Sequence, residues 1–271
     1  MSRLLSILEK IREECAIKDS SSGLILGEKW LENSKKKVQK CLISSHLTRK
    51  AVATAMKEKA EIIITIHPPY FTDFSNSKIP KTKLELLQKL IQNEIAIYSL
   101  GDNWLVSEQG GFDYFLNLLD FDYRKKLNFI TIDKTKTEGG AVGRYGERKK
   151  KIKLNDLVQL LYQNIECPFD YSGYNQSSIQ SVVIFNEILN EDTINRILEN
   201  SKIDVVIFGD IAYEALKTLQ LSKKPFIHLT RRVLENAILG KIRRRIMEEI
   251  TLDLPDIVVV KQEKFGTTYS G

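Results

Sequence analysis

Short runs of β-branched and aliphatic residues recur along this chain, each followed by a stretch with apolar residues at helical spacing. Few folds accommodate that alternation. The segments 41–45, 61–65, 95–100, 181–185, 205–209, 226–229 and 257–260 read as strands, 23–27 as a short strand or turn, and 139–146 as a glycine-rich turn and strand, while 128–132 opens a second section. The segments 2–14, 48–57, 83–92, 110–119, 154–164, 192–200, 213–219 and 231–249 read as helices, and Thr48 is suited to cap the second of them. Strands alternating with helices of this length predict an α/β fold with mixed sheets. At 271 residues the chain is long enough for two such units, taken as 1–127 and 128–271, although no linker composition marks the boundary.

Composition excludes several classes. Charged residues make up 28% and hydrophobic residues 42%, the balance of a folded globular chain rather than a disordered one. No stretch approaches the roughly 20 apolar residues of a membrane-spanning helix, and the first segment is amphipathic rather than a leader, so a cytoplasmic location is expected. Cys15, Cys41 and Cys167 are widely spaced and odd in number, which fits reduced thiols and not a cysteine-rich zinc site. A net charge of +6 permits a phosphate-bearing partner without requiring one. The densest basic run, Lys149-Lys150-Lys151 with Lys153, reads as a solvated loop face, and nucleic-acid binding is only weakly signalled.

Chemistry in α/β proteins collects just past the C-terminal ends of strands. Two places fit: Thr65-Ile66-His67-Pro68-Pro69-Tyr70-Phe71, and the start of the helix carrying Arg231 and Glu235. By itself, a histidine ahead of a Pro-Pro turn is more often structural than ligating. No His-Glu-x-x-His or Cys-x-x-Cys pattern supports a metal. The glycines from Gly139 to Gly146 have the wrong spacing for a dinucleotide loop and read as hairpin glycines. Gly240-Lys241 lacks the upstream glycine of a phosphate loop.

Taken in order, these residues resemble the NIF-three-like family, which includes the GTP cyclohydrolase 1 type 2 homologues. The resemblance rests on Ser21-Ser22-Gly23-Leu24, on His46-Leu47-Thr48 where the family has Asp-Leu-Thr, and on Thr65-Ile66-His67-Pro68 where it has Ser-His-His-Pro. It continues through Gly101-Asp102-Asn103-Trp104-Leu105, Gly143-Arg144-Tyr145-Gly146-Glu147, Gly209-Asp210-Ile211-Ala212-Tyr213 and Arg231 to Glu235. It implies two domains with a dinuclear metal site between them, a ring-shaped homohexamer, and zinc, iron or manganese as the ions. Of the five ligand positions, His67 and Glu235 survive, while Ile66, Leu105 and Arg231 occupy the others. A guanidinium about 4 Å from a cation site repels a unit charge by about 4 kcal/mol at an effective dielectric near 20, and a divalent ion by twice that. No metal cofactor is therefore expected.

The reading that follows is a non-catalytic oligomeric scaffold or a binder of a small anionic ligand. Arg231, His67 and Arg144 are its candidate binding residues, and Arg231 is expected to pair with Glu235 one helical turn on. The alternatives are a metal-dependent hydrolase of a nucleotide or phosphate ester, and a nucleic-acid or transcription-associated partner protein.

Overall fold

The computed structural model describes residues 3–13, 22–33, 38–69, 80–129, 141–165, 167–250 and 254–262. It is α/β with two mixed sheets and divides into two compact units, one of residues 1–104 with 239–271 and the other of residues 105–238.

The first unit opens with α1 (Arg3–Glu13), β1 (Gly23–Leu26) and α2 (Glu28–Asn33). It continues through β2 (Lys40–Ser44), α3 (Arg49–Glu58), β3 (Ile62–Thr65), α4 (Lys81–Gln92), β4 (Ala96–Ser99) and the short α5 (Asn103–Val106). Residues 41–43, 62–64 and 96–98 are almost wholly buried, the uninterrupted apolar pattern of parallel strands covered on both faces. The run of isoleucines in β3 shows the same physics, since β-branched side chains suit a pleated, packed surface. The helix α3 begins where expected. The Thr48 hydroxyl accepts a hydrogen bond from the Ala51 amide at 3.0 Å, satisfying one of the orphan donors of the first turn. Its inward face is Ala51, Val52 and Ala55.

The second unit runs through α6 (Gly111–Leu118), β5 (Tyr123–Phe129), β6 (Ala141–Lys153), α7 (Leu154–Asn164) and β7 (Asp170–Ser172). It goes on through β8 (Ser178–Leu189), α8 (Glu191–Glu199), β9 (Val205–Ile211), α9 (Tyr213–Leu221), β10 (Phe226–His228) and into α10 (Arg231–Glu249). Its sheet order is β5-β6-β8-β9-β10-β7, with β8, β9 and β10 parallel and the flanking pairs antiparallel. Phe185, Phe208, Ile194, Ile197 and Leu219 anchor its core.

Several features differ from the sequence expectation, among them the short helices α2 and α5. The last strand, β11 (Asp256–Val260), had been assigned with everything after residue 127 to the second unit. It pairs in parallel with β2 instead, so the first sheet reads β1-β4-β3-β2-β11 and the chain returns to its first unit. Lys149, Lys150 and Lys151, expected in a loop, lie within β6. They are exposed there, between the Glu147–Ser181 pairing and its resumption at Ile152–Ile179. The edge strand β7 was not anticipated, because its three residues are all exposed and carry no apolar alternation. Cys15, Phe71 and the glycines 139–140 lie outside the described residues. No helix among the described residues is long and apolar enough to cross a membrane.

Burial gives Cys41 a testable property. It is completely buried in β2, and loss of hydration pushes its thiol up to about 12. At pH 8 the thiolate is then roughly one part in ten thousand. Peptide mapping after iodoacetamide treatment of the native protein at pH 8 should leave Cys41 unlabelled, with labelling appearing only in denaturant. Rapid native labelling would contradict the packing of β2 described above.

Candidate functional site

In the first unit, parallel register lines up the C-terminal ends of four strands. Val260 of β11 pairs with Ser44 of β2, Ser44 with Thr65 of β3, and Thr65 with Ser99 of β4. The polar residues just past that row are therefore neighbours: Gln262, His46, His67 and Asp102. The backbone stays ladder-like for one more step, since the His67 amide donates to the Ser45 carbonyl at 3.0 Å and the Gly101 amide to the Ile66 carbonyl at 2.9 Å. Side-chain alternation along this extension sends Ile66 and His67 opposite ways.

The His46 and His67 rings stack with centroids 4.2 Å apart and planes 29° apart. His67 is 2% exposed and its Nδ1–H donates to Asp102 Oδ1, which fixes both its tautomer and its ring orientation. His46 is half-buried; its Nδ1 lies 2.7 Å from the side-chain amide of Gln262, and that amide also hydrogen-bonds Ser45 Oγ. Of this group, the sequence singles out His67 for the site, and Asp102 enters only as part of the Gly101-to-Leu105 resemblance. His46 and Gln262 were missed. The signal that finds them is positional, because each lies two residues past the end of a strand in the same parallel row.

In the second unit the junction of β10 with α10 carries Arg231. Its Nε donates to Glu235 Oε1 at 3.0 Å, across one helical turn. The arginine side chain is 36% exposed, whereas the glutamate is 1% exposed. Glycine at 209 lets this corner close, because a Cβ there would stand 3.2 Å from Arg231 Cα and 3.3 Å from its amide nitrogen. His228, at the end of β10, is held by contacts within the second unit. Its Nε2–H donates to the Gly209 carbonyl at 3.1 Å and its ring stacks on Phe208.

Arg144, expected among the ligand-binding residues, is committed elsewhere. It is 5% exposed, with Nε 2.5 Å and Nη2 2.7 Å from the two oxygens of Asp113, a bidentate pair inside the second unit. Asp113 also accepts the Gln109 amide at 2.8 Å. Of the remaining expected positions, Ile66 is 0% and Leu105 2% exposed, and neither side chain offers a donor atom to a cation.

Comparison with known proteins agrees with this fold. The family model Duf34/NIF3 (NGG1p interacting factor 3) matches residues 1–264. NIF3-like protein 1 of Drosophila melanogaster is 30% identical over 135 residues, a match spanning 48% of this chain and 43% of that protein. A GTP cyclohydrolase 1 type 2 homologue of Clostridium perfringens is 23% identical over 244 residues, 89% of this chain and 88% of its own. Among solved structures, a Bacillus cereus protein related to NIF3 superposes with a TM-score of 0.72 at 14% identity, covering 96% of each chain. Reduced HcgD from Methanocaldococcus jannaschii superposes with a TM-score of 0.72 at 19% identity, covering 94% of this chain and 96% of its own.

Proposed function

Because the chain belongs to the Duf34/NIF3 family, we propose that it is a non-catalytic member with a dismantled dinuclear metal site, an oligomeric scaffold that binds a small anionic ligand at Arg231. The observation that carries this is the Arg231–Glu235 pair: a buried carboxylate at a family ligand position is satisfied at 3.0 Å by the chain's own guanidinium. A cation built into the protein then does the electrostatic task that the family gives to metal. The donor set does not fit two ions, since the family's five ligand positions here include two buried aliphatic side chains and an arginine.

The outward share of the Arg231 guanidinium, at the start of a 19-residue helix, suits a phosphate or carboxylate. Assembly into a homohexameric ring and a cytoplasmic location are part of the same reading, supported by the family resemblance. The competing reading is the metal-dependent hydrolase, which requires two ions per chain.

Isothermal titration with inorganic phosphate, beside elemental analysis of protein purified without chelator, tests the proposal. Wild type should bind phosphate and carry fewer than two equivalents of zinc, iron or manganese. Arg231→Ala should weaken phosphate by about 10–100-fold, the worth of a charge-assisted hydrogen bond. Two metal equivalents, or unchanged phosphate affinity in Arg231→Ala, would overturn the reading.

A further inference from the structure

We propose that the lysine-tipped bulge of β6 binds single-stranded nucleic acid, with phosphates on Lys149, Lys150, Lys151 and Lys153 and a base stacked on Tyr174. The surface lies within the second unit and shares no residue with the Arg231–Glu235 pair. It therefore goes beyond the anion-binding reading and is tested separately from it.

The bulge itself is the first observation. β6 pairs with β8 through Glu147–Ser181 and resumes at Ile152–Ile179, so the four residues 148–151 stand opposite Gln180 alone. An ordinary bulge adds a single residue, and larger ones re-aim side chains away from the ladder. Here the tip residues, Lys149, Lys150 and Lys151, are all exposed. The base of the bulge is fixed. The Arg148 carbonyl accepts from the Gln180 side-chain amide at 3.4 Å, while the Arg148 guanidinium donates to the Leu119 carbonyl and stands 3.6 Å from Asp120.

Charge is the second. Lys153 follows the tip and is also exposed, and among the described residues none of these four lysines forms an ion pair. Nearby carboxylates are committed elsewhere. Glu147 accepts from the Tyr145 hydroxyl at 3.1 Å, and Asp204 accepts the Gln180 and Ser181 amides at 2.8 and 2.9 Å. Asp156, exposed in the first turn of α7, offsets only one of the charges. Ammonium groups crowded in this way repel one another, and a polyanion relieves that repulsion.

The third is an aromatic neighbour. The turn from β7 to β8 is laid against the start of α7, where the Leu154 amide donates to the Ser177 carbonyl at 2.9 Å and the Asn155 amide to the Asn175 carbonyl at 3.1 Å. Tyr174, 73% exposed, thus flanks the end of the lysine run, with exposed Asn175 and Gln176 beside it.

These features select the partner. A small anion is held by donors that converge in a concave site. Lysines fanned out on a projecting tip suit instead a polymeric anion followed along its length. An exposed tyrosine at the end of a basic run gives any base a face to stack on, which requires an unpaired base and so a single strand. The tip carries no apolar side chain to enter a bilayer, which argues against a lipid surface.

The test is fluorescence anisotropy of the full chain with a labelled oligothymidylate of about 16 nucleotides over a range of salt concentrations. Four phosphate contacts predict a slope of log affinity against log salt of about −3. The joint change Lys149→Gln, Lys150→Gln and Lys151→Gln should bring that slope to about −1 and remove most of the low-salt affinity, with thermal unfolding no lower than wild type. Tyr174→Ala should weaken binding by about 5–100-fold, the worth of one stacked base, and leave the slope unchanged. Arg231→Ala should bind the oligonucleotide as wild type does, whatever it does to inorganic phosphate. No binding by wild type at low salt, or equal binding by the three-lysine variant, overturns the proposal. Full affinity in Tyr174→Ala overturns nucleic acid as the occupant and leaves a polyanion without bases, such as an acidic protein segment. Tighter binding to vesicles of phosphatidylserine and phosphatidylcholine than to the oligonucleotide, lost in the three-lysine variant, overturns it in favour of a lipid surface. Affinity lost in Arg231→Ala but kept in the three-lysine variant overturns it in favour of the Arg231 corner.

Discussion

Replacing Asp113 by alanine should destabilise the protein by about 3–5 kcal/mol, the usual cost of breaking a buried ion pair by removing one partner. The Asp113 and Arg144 side chains are 4% and 6% exposed, so the guanidinium left behind has little water to turn to. The loss also strips the Gln109 amide of the carboxylate it reaches at 2.8 Å. The paired change Asp113→Leu with Arg144→Met should cost much less than Asp113→Ala. It removes both charges and fills the space with apolar atoms, and buried pairs are often replaced by apolar residues with little penalty. Urea unfolding of the three proteins measures this directly. A cost for Asp113→Ala below about 1 kcal/mol would show that water reaches the pair and that burial is not what makes it matter. Arg144→Lys, measured for both urea stability and phosphate affinity, separates the two roles considered for Arg144. A ligand-binding arginine would lose phosphate affinity on change to lysine while stability held. The buried bidentate pair predicts the reverse, because lysine cannot reproduce the two-pronged geometry.

That arginine shows where sequence reasoning stops. The Gly-Arg-x-Gly-Glu element was legible as a motif, but whether its arginine faces a ligand or a carboxylate 31 positions upstream depends on the packing of α6 against β6. The buried strands were legible because their packed faces demand β-branched and aliphatic residues, as in Ile62–Thr65 and Val205–Ile211, whereas the exposed β7 was not. The start of α3 was legible because capping is local, needing only Thr48 and the amide three residues on. Long-range pairing was not. Nothing local says that Asp256–Val260 returns to β2, and with that strand goes the position of Gln262 beside His46. His46 itself could have been found. Once two strands are taken as parallel neighbours in register, residues at equal distances past their ends must lie side by side. The lysines of β6 misled because the pairing with β8 lapses between Glu147 and Ile152, so consecutive side chains reach solvent there while the chain remains in the strand.

The triple change Ile66→His, Leu105→Asp and Arg231→His is expected to give a protein that takes up two divalent ions per chain, where the wild type does not. Each substitution returns one position to the residue type that the family resemblance assigns to a ligand. Their energetics in the metal-free protein are unfavourable. Ile66 is 0% and Leu105 2% exposed, and placing polar or charged groups at such positions without partners costs on the order of several kcal/mol. Losing Arg231 also removes the partner that meets Glu235 at 3.0 Å. The metal-free triple variant should therefore melt well below wild type. Zinc should reverse the deficit, because an ion that binds the folded chain but not the unfolded one stabilises it by about 4 kcal/mol at a thousandfold excess over its dissociation constant. Arg231→His alone should not suffice, since two aliphatic positions would still lack donors. A triple variant that stays folded yet gains no metal and no thermal shift would mean that these residues do not occupy the family's ligand positions. The replacement of metal by Arg231 would then lose its basis.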